Sequence, residues 1–556
     1  MRWLSAITLN IVLLWSVNAT AEQAPEHAYV SSAHPLASAA GITVLKQGGN
    51  AIDAAIAVTA ALAVVEPYGS GLGGGGFYLL RRAGTSADYH FLDARERAPL
   101  AAHADLYRVD GKIDPKLSLD GALAAAIPGI PAALDALTQR HARLSLADNL
   151  APAIALARDG FAIDAVYQER AGWRLAALQK DAESARLFLD QQAIPEQGWI
   201  LRQPELATTL SLLAQHGQKA FYRGAVAEKL VDAVQAAGGI WSLDDLAQYR
   251  VQWRAPLIVP LAEQRQLITA PPPSAGGIAI AQSLLMLQRL PWQQAEPAQR
   301  AHYIAEVFRR AYRDRGLLGD PDFVDNPTQA LLARQHIVDM TASISVDHAT
   351  PSSNLAPGAE LHEGDHTTHF AVLDQQGNAV AATLSLNMMF GAAFTVPGTG
   401  VLLNDEMDDF AADLAGSNAY GLTGSLANQI QAGKRPLSSM SPSFVEGPYD
   451  FSAFGTPGGS RIPSMNVIAM LEYLDGKAPA QWVASPRIHH QYLPDVLGFE
   501  PGTLTLQQQQ RLEKKGHTLQ ELTRNYGNQQ VLWWDKDSGH SAAASDPRGQ
   551  GVSLSH

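Results

Sequence analysis

Apolar and polar positions near the start of the chain predict two consecutive helices. Residues 34–45 fit one helix, which a pair of glycines after Lys46 would end. Asn50, with Asp53 three residues later, resembles a helix-start cap for the segment AIDAAIAVTAALAVV. This second helix is apolar nearly all round, so we expect it to be buried.

Strand and helix patterns alternate through the next part of the chain. The stretch SGLGGGGF leads into two strand-like runs at residues 77–80 and 89–92. Residues 121–265 are mainly helical in pattern, with IPAALDALTQRH and LATTLSLLAQHG as examples. PPPSAGG then predicts a turn before another apolar helix, IAIAQSLLMLQRL.

A polar connector precedes a predicted β-hairpin. Residues 346–366 have little apolar periodicity and carry prolines, serines and glycines, so we expect them to be extended and exposed. Residues 368–374 then alternate like a strand, Gln-Gly-Asn supplies a turn, and residues 379–386 return as a second strand. The hairpin therefore begins at a threonine.

Composition and charge exclude several classes of protein. The 556 residues are 46% hydrophobic and only 17% charged, which is enough apolar material for a large buried core. The formal net charge of -13 argues against nucleic acid or an anionic membrane as a partner. Because the chain has no cysteine, it can form no disulfide and has no thiol nucleophile.

The first residues have the pattern of a secretory signal peptide. Arg2 precedes an apolar stretch over residues 3–17, and Ala19-Thr20-Ala21 supplies small residues for cleavage, so residues 1–21 would be removed. A membrane anchor is the alternative, but the stretch is shorter than the ~20 residues that a spanning helix needs. We expect a periplasmic or secreted protein with no membrane span after processing, which suits a chain without disulfides.

The segment LHEGDHTTHF has two incompatible interpretations. His362, Glu363 and His366 fit the H-E-x-x-H zinc pattern, which requires both histidines on one face of a stable helix. Gly364 lies inside the pattern, a proline-containing connector precedes it and a strand follows it, so the helix is disfavoured. We therefore do not predict a zinc protease, and a chelator test would check this.

The other interpretation makes Thr367 a nucleophile. A threonine at the head of a strand, after a flexible connector, could attack the carbonyl carbon of His366. The peptide bond would rearrange to an ester and hydrolyse, leaving a chain that begins at Thr367. Its free α-amine, with an ordinary pKa of about 8, could act as the base for its own hydroxyl.

Eight motifs together resemble the γ-glutamyltransferase family. They are SGLGGGGF, RERAP, PPPSAGG, TTHF, LSLN, NDEMDDF, KRPLSSMSPS and GTPGGSRI, in the family's order, and the resemblance extends to ASDPR near the end of the chain. The resemblance implies an α+β fold, the αββα sandwich of the N-terminal-nucleophile hydrolases. Residues 22–366 would form a large subunit and residues 367–556 a small catalytic subunit, and these two chains from one precursor would build the domain together as a heterodimer.

The resemblance also implies the catalytic residues. Thr367 matches the nucleophile, exposed by cleavage at His366–Thr367, and Ser385 matches a position where the family commonly has a threonine whose hydroxyl contacts the nucleophile. Gly458 and Gly459 match the oxyanion hole, where backbone N–H groups meet developing negative charge. The alternative for these glycines is a tight turn alone.

Further matches concern recognition of a γ-glutamyl group. Arg95 matches the arginine that binds its α-carboxylate, with the hydroxyls of Ser438 and Ser439 beside it. The alternative is a structural ion pair with the adjacent Glu96. The positions that receive the α-ammonium group are matched by Asn387, Glu406 and Asp409. A calcium site is the alternative for the acidic cluster, but its spacing fits no EF-hand loop.

Three more features complete the predicted site. Between Phe410 and Lys434 the sequence resembles the family's lid, with Tyr420 at the covering aromatic position. SGLGGGGF lacks the Gly-Lys-Ser ending of a phosphate loop, so close backbone packing is the preferred reason for its glycines. His489 and His490 suggest a metal pair, but their surroundings resemble a structural segment of the family.

The resemblance implies an exported γ-glutamyltransferase and glutathione hydrolase without a metal or organic cofactor. Its partners would be glutathione and other γ-glutamyl compounds, with water or an amino acid or peptide as acceptor. A cephalosporin acylase of the same family is one alternative; its glutaryl substrate lacks an ammonium group, so the acids Glu406 and Asp409 disfavour it. An uncleaved, inactive homologue that serves as a binding protein is another.

Overall fold

Two antiparallel β-sheets lie face to face at the centre of the molecule. The computed structural model describes residues 22–84, 87–355, 367–411 and 425–556. The strands, in chain order, are β1 (Tyr29–Ser32), β2 (Gly75–Arg82), β3 (Asp88–Ala94), β4 (Arg108–Val109), β5 (Lys112–Ile113), β6 (Phe161–Ala162), β7 (Ile200–Leu201), β8 (Gln252–Arg254), β9 (Leu257–Pro260), β10 (Gln266–Thr269), β11 (Thr367–Leu373), β12 (Ala379–Ser385), β13 (Thr395–Val396), β14 (Val401–Leu402), β15 (Ser443–Glu446), β16 (Asp450–Phe454), β17 (Ile488–His489), β18 (Leu497–Phe499), β19 (Leu519–Glu521), β20 (Gln530–Asp535), β21 (Ser541–Ser545) and β22 (Val552–Ser555). One sheet has seven strands in the order β22-β1-β11-β12-β2-β3-β8, and the other has six in the order β21-β20-β16-β15-β10-β9.

Helices cover the outer face of each sheet. The helices, in chain order, are α1 (Pro35–Lys46), α2 (Ala51–Val65), α3 (Ile130–His141), α4 (Leu146–Asp159), α5 (Ala165–Leu178), α6 (Ala182–Phe188), α7 (Pro204–His216), α8 (Lys219–Tyr222), α9 (Ala225–Ala236), α10 (Leu243–Gln248), α11 (Gly276–Leu287), α12 (Pro297–Asp314), α13 (Thr328–Leu331), α14 (Arg334–Ala342), α15 (Ile462–Leu474), α16 (Pro479–Ala484) and α17 (Leu506–Lys514). Within the described part of the chain, no helix is both long and apolar enough to cross a membrane.

Alternation along the strands separates three apolar layers. In β2, Phe77 and Leu79 point into a core between the two sheets, which they share with Phe444 and Phe451 of the other sheet. Leu80, one residue on, points the other way, into a core beneath α1 and α2. A third core lies between the second sheet and helices α11, α12 and α15. The predicted αββα sandwich is therefore confirmed.

The local elements predicted from the pattern are also present. Helix α2 has the expected capping box, with Asn50 Oδ1 accepting from the backbone N–H groups of Ile52 and Asp53, and every residue of the helix is buried. Strands β11 and β12 form the predicted hairpin. The glycines of SGLGGGGF allow close backbone approach, since a Cβ on Gly74 would lie 2.1 Å from the carbonyl oxygen of Ser385.

The connector is more firmly held than its composition suggests. Residues 346–354 are largely exposed, as predicted, but Ser352 is buried, and a short 3-10 turn occupies Ser352–Asn354. The Ser352 hydroxyl accepts a hydrogen bond of 2.8 Å from Arg309, and the Ser352 backbone N–H donates one of 2.7 Å to Asp495. Local polarity cannot reveal this anchor because both partners are distant in sequence.

Both sheets mix strands from the two sides of Thr367. In the seven-stranded sheet, β11 lies between β1 and β12, and β12 pairs with β2. In the six-stranded sheet, β10 from before Thr367 pairs with β15 from after it. Neither segment could form either sheet alone.

Candidate active site

Thr367 is the first residue of a central strand. It lies directly opposite Ser385 in the register of β11 and β12, a position at which side chains on neighbouring strands approach each other within about 5 Å. The Ser385 hydroxyl accepts a hydrogen bond of 2.8 Å from the backbone N–H of Asn387. The hairpin therefore places both predicted hydroxyls at the same end of the sheet.

A cavity of about 280 Å³ opens beside Thr367. Gly458, from the segment that precedes α15, also lines it, so the structure brings the predicted nucleophile and one predicted oxyanion residue to the same space. The charged and aromatic residues that share this lining include Glu66, Tyr68, Arg170, Trp173, Arg461, Arg524 and Tyr526.

The glycine pair forms a turn that other residues would strain. Gly458 has φ of 134° and Gly459 has φ of 54°, both in the region that favours glycine. A Cβ on Gly458 would also lie 2.6 Å from Cε of Met465. The turn therefore requires glycine at position 458, and it leaves the wall of the cavity without a side chain at this point.

Arg95 lies in a buried cluster of charges. Its guanidinium forms ion pairs with Glu406 and Asp409, and its Nη1 lies 3.6 Å from the carboxylate of Glu96. Its Nε donates to the carbonyl oxygen of Pro436 at 3.1 Å. The arginine predicted for a carboxylate and the acids predicted for an ammonium group thus contact each other directly, and the expected alternative partner Glu96 joins them.

Burial changes the protonation of these acids. Desolvation raises the pKa of Glu406 to about 8 and that of Glu96 to about 7, although the positive charge of Arg95 opposes both shifts. If all three carboxyl groups were ionised, their negative charge would exceed the single positive charge of the guanidinium. Near neutral pH, some of these acids are therefore protonated.

The predicted polar residues Ser438, Ser439 and Asn387 each have a partner within the chain. The Ser439 hydroxyl accepts from Arg315 at 2.8 Å, and the Ser438 hydroxyl accepts from the backbone N–H of Met440 at 3.1 Å. Asn387 has φ of 73°, and its side-chain amide donates to the carbonyl oxygen of Asp405, the residue before Glu406. The bond from Asn387 joins the end of β12 to the acidic segment.

Several predicted residues lie outside the described part of the structure. These are His366 of the cleavage site, Tyr420 of the lid, and His362 and Glu363 of the zinc pattern. His489 and His490 are described, and each has other partners: His489 contacts Ser464 and Gln491, and His490 contacts Asp495 at 3.1 Å. Their ring nitrogens serve the packing of this segment.

Sequence reasoning missed Glu66. The Thr368 hydroxyl donates to its carboxylate at 2.6 Å, so Glu66 is bonded to the residue next to Thr367. Burial raises its pKa to about 7, against the effect of that hydrogen bond. An acid at the end of an apolar helix, four residues before the start of the motif SGLGGGGF, is the signal that would have identified it.

The fold and the site together define an N-terminal-nucleophile hydrolase: an αββα sandwich with a threonine at the head of a central strand, beside a glycine turn. The sequence model of the γ-glutamyltranspeptidase family matches residues 37–555, and the chain belongs to that family.

Relatives and solved structures agree with this assignment. A glutathione hydrolase proenzyme from Pseudomonas sp. (strain A14) is 40% identical over 513 residues, which cover 90% of this chain and 88% of the relative. The γ-glutamyltranspeptidase of Helicobacter pylori is 36% identical with a TM-score of 0.57, covering 60% of this chain and 96% of that chain. A cephalosporin acylase from Bacillus halodurans has a TM-score of 0.83 over 99% of both chains, but at 24% identity it supports the fold alone.

Proposed function

We propose that this protein is a γ-glutamyltransferase and glutathione hydrolase that matures by cutting its own chain between His366 and Thr367. The observation that carries the proposal is the position of Thr367, which begins a central strand and lines a cavity together with Gly458. Relatives named glutathione hydrolase proenzyme, 38–40% identical over most of the chain, support the activity and a precursor form.

Maturation uses the hydroxyl of Thr367. Its oxygen attacks the carbonyl carbon of His366, the C–N bond breaks, and the amide nitrogen takes the proton to become the amine of Thr367. Water then hydrolyses the resulting ester, which leaves a carboxylate on His366 and a free hydroxyl and amine on Thr367. The interleaved strands would hold the two resulting chains together as large and small subunits.

Transfer repeats this chemistry on the substrate. The Thr367 hydroxyl attacks the γ-carbonyl carbon while the α-amine takes its proton, and the backbone N–H groups of Gly458 and Gly459 stabilise the tetrahedral oxyanion. The leaving amine departs with that proton. Water or an amine acceptor then attacks the γ-glutamyl ester, giving glutamate or a new γ-glutamyl compound.

The charge cluster around Arg95 suits a zwitterionic substrate. An α-carboxylate can take the place of Glu406 and Asp409 on the guanidinium, while these two acids turn to the α-ammonium group. Glutaryl compounds bring a carboxylate and no ammonium group, so they would add to the cluster a negative charge that no cation of the substrate compensates. The cluster therefore favours γ-glutamyl compounds over the substrates of a cephalosporin acylase.

We also propose that residues 1–21 direct export to the periplasm or the medium and are then removed. Glu22, the first residue after that cut, contacts Arg81 at 2.9 Å and Lys536 at 3.0 Å. A mature chain that begins at Glu22 would therefore keep this ion-pair network intact.

Denaturing electrophoresis with N-terminal sequencing, beside a Thr367→Ala variant, tests the maturation. We expect two chains from the wild type, the larger beginning at Glu22 and the smaller with Thr-Thr-His-Phe, and a single chain from the variant. The processed protein should then cleave γ-glutamyl anilides and leave glutaryl anilides nearly untouched. A wild type that stays whole would contradict the proposal and favour a binding protein, and preference for the glutaryl compound would favour the acylase.

A further inference from the structure

A tryptophan held between two arginines borders the cavity beside Thr367. The guanidinium carbon of Arg170 lies 4.4 Å from the ring centroid of Trp173, and that of Arg524 lies 3.9 Å from it. Arg170 and Trp173 are on α5, whereas Arg524 follows β19 near the end of the chain. All three residues line the cavity. We call them the Arg–Trp–Arg cluster.

Stacking on the indole fixes the arginines but does not neutralise them. A guanidinium held against an aromatic face keeps the N–H groups in its plane available for a carboxylate. In the described part of the chain, the ion-pair contact of Arg170 is a long one, with Glu169 at 4.0 Å. Among the described residues, no carboxylate lies within ion-pair distance of Arg524.

The cluster carries an excess of positive charge. Partial burial lowers the pKa of Arg170, and repulsion by Arg524 lowers it further, so the two cations disfavour each other in the absence of an anion. Burial raises the pKa of Glu66, the buried acid of this cavity, to about 7, so near neutral pH the group is only partly ionised and offsets only part of the charge. An anionic group from solution would relieve the repulsion.

The cluster lies apart from the residues assigned to the γ-glutamyl group. Arg95, Glu406 and Asp409 are buried together and contribute nothing to the lining of this cavity. Under the proposed function, the glutamyl end of the substrate lies on the Arg95 side and its γ-carbonyl group meets Thr367. The other end of the substrate then lies in the cavity. That end is the leaving group, or the acceptor in the second half of the reaction.

We propose that the Arg–Trp–Arg cluster binds the carboxylate of the leaving group and of the acceptor, and so selects γ-glutamyl peptides with a free C-terminal carboxylate over γ-glutamyl amides with a neutral leaving group. This inference rests on the proposed function. It assigns Arg170 and Arg524 to substrate specificity and gives them no part in the bond-forming steps.

A pair of chromogenic substrates tests the assignment. Both have the same γ-glutamyl group, one with a para-nitroanilide leaving group and the other with its ring-carboxylated analogue. In Arg524→Gln and in Arg170→Gln we expect kcat/KM for the carboxylated substrate to fall about tenfold through KM, and kcat/KM for the neutral one to stay within about twofold. Arg524→Lys, which keeps the charge but loses the planar fork, should lie between these variants and the wild type.

Transfer gives a second measurement on the same variants. The KM for glycylglycine as acceptor should rise about tenfold in Arg524→Gln, while that for glycylglycine amide should not change. Arg289→Gln is the control, because it removes an exposed arginine that is absent from the cavity lining. It should leave kcat/KM for both anilides and KM for both acceptors at the wild-type values.

The outcomes separate the two proposals. An equal loss on both anilides would mean that the arginines support the structure and would overturn the subsite. If kcat/KM for the carboxylated anilide, relative to the neutral one, were unchanged in both Arg170→Gln and Arg524→Gln, the subsite would be overturned as well. A processed wild type that cleaves neither anilide would instead overturn the proposed function itself, and the subsite with it.

Discussion

Glu66 brings a buried carboxyl group to the cavity onto which Thr367 opens. Its carboxylate accepts from Thr368, and burial raises its pKa to about 7. Below that pH the group is neutral. Above it, a negative charge lies near the amine that would become free on Thr367, where it favours the protonated amine and so weakens the base.

The pH dependence of stability should report this group. An acid whose pKa is higher in the folded protein than in the unfolded chain contributes stability that is complete below the unfolded value and is lost as the pH rises through the folded value. For Glu66 the window runs from 4.5 to about 7, and the loss is at most about 3 kcal/mol. Glu66→Gln keeps an acceptor for Thr368 but cannot ionise. As the pH rises from 4.5 to about 7, we expect the free energy of unfolding, measured by urea unfolding, to fall less in this variant than in its parent.

Two choices make that comparison clean. The measurement belongs in the Thr367→Ala background, which should remain one chain. Glu169→Gln removes an exposed acid from the rim of the same cavity and should reproduce the slope of its parent. Identical slopes for the Glu66→Gln protein and its parent would show that Glu66 does not titrate in this range.

Single residues could be located from motifs, but their roles stay predictions. The structure pairs Thr367 with Ser385, as the predicted hairpin requires, and it brings Arg95 against Glu406 and Asp409, a contact that the motifs did not indicate. The cavity residues Glu66, Arg170 and Arg524 were not predicted. They come from three distant segments, and no local pattern relates them.

At the level of elements, the start of α2 depends on a single buried carboxylate. Asp53 accepts from the backbone N–H groups of Asn50, Arg143 and Leu144 and from the side-chain amide of Asn149, all at 2.9–3.0 Å. It therefore joins the buried helix to the loop between α3 and α4 as well as capping it.

We expect Asp53→Ala to lower the free energy of unfolding by about 4 kcal/mol, because several buried donors lose their acceptor at once. Asp148→Ala is the matched control: Asp148 has the same place in the capping box of α4, but it is exposed and should cost only about 1 kcal/mol. Chemical denaturation of the Thr367→Ala protein measures both. Equal losses would show that the connection to the loop adds nothing to the cap.

For the whole molecule, the order of the strands decides what cleavage can do. Strand β11 is hydrogen-bonded to β1 on one side and to β12 on the other, and β10 is paired with β15 across the second sheet. The proposed large and small subunits therefore share two continuous sheets and the core between them.

Cleaved protein should accordingly behave as one particle. On size-exclusion chromatography we expect both chains in a single peak under native conditions and at high salt, and separate peaks only in concentrated guanidinium chloride. Each chain expressed alone should fail to fold, because it lacks the neighbours of its own strands. Two native peaks from the processed protein would contradict this arrangement.

Strand order was the part of the fold that local pattern could not supply. The periodicity of residues 77–80 and 89–92 predicts strands, and the turn after residue 374 predicts a hairpin. Nothing in the local pattern indicates that β22 lies beside β1, because the two strands are separated by almost the whole chain. The αββα sandwich as a whole was predicted from the resemblance to the family, because periodicity alone does not indicate which strands are neighbours.

Because β1 is paired with β22, the two ends of the chain lie close enough together for a circular permutation. The backbone groups of Ala28 and His556 exchange hydrogen bonds of 2.9 and 3.0 Å, so a short peptide could join these two positions. A circular permutant with that joint, started by a methionine placed directly before Thr367 and ended within the connector, would keep every strand neighbour. Removal of the methionine by an aminopeptidase would then yield Thr367 with a free amine without any internal cleavage, separating the chemistry of maturation from that of turnover.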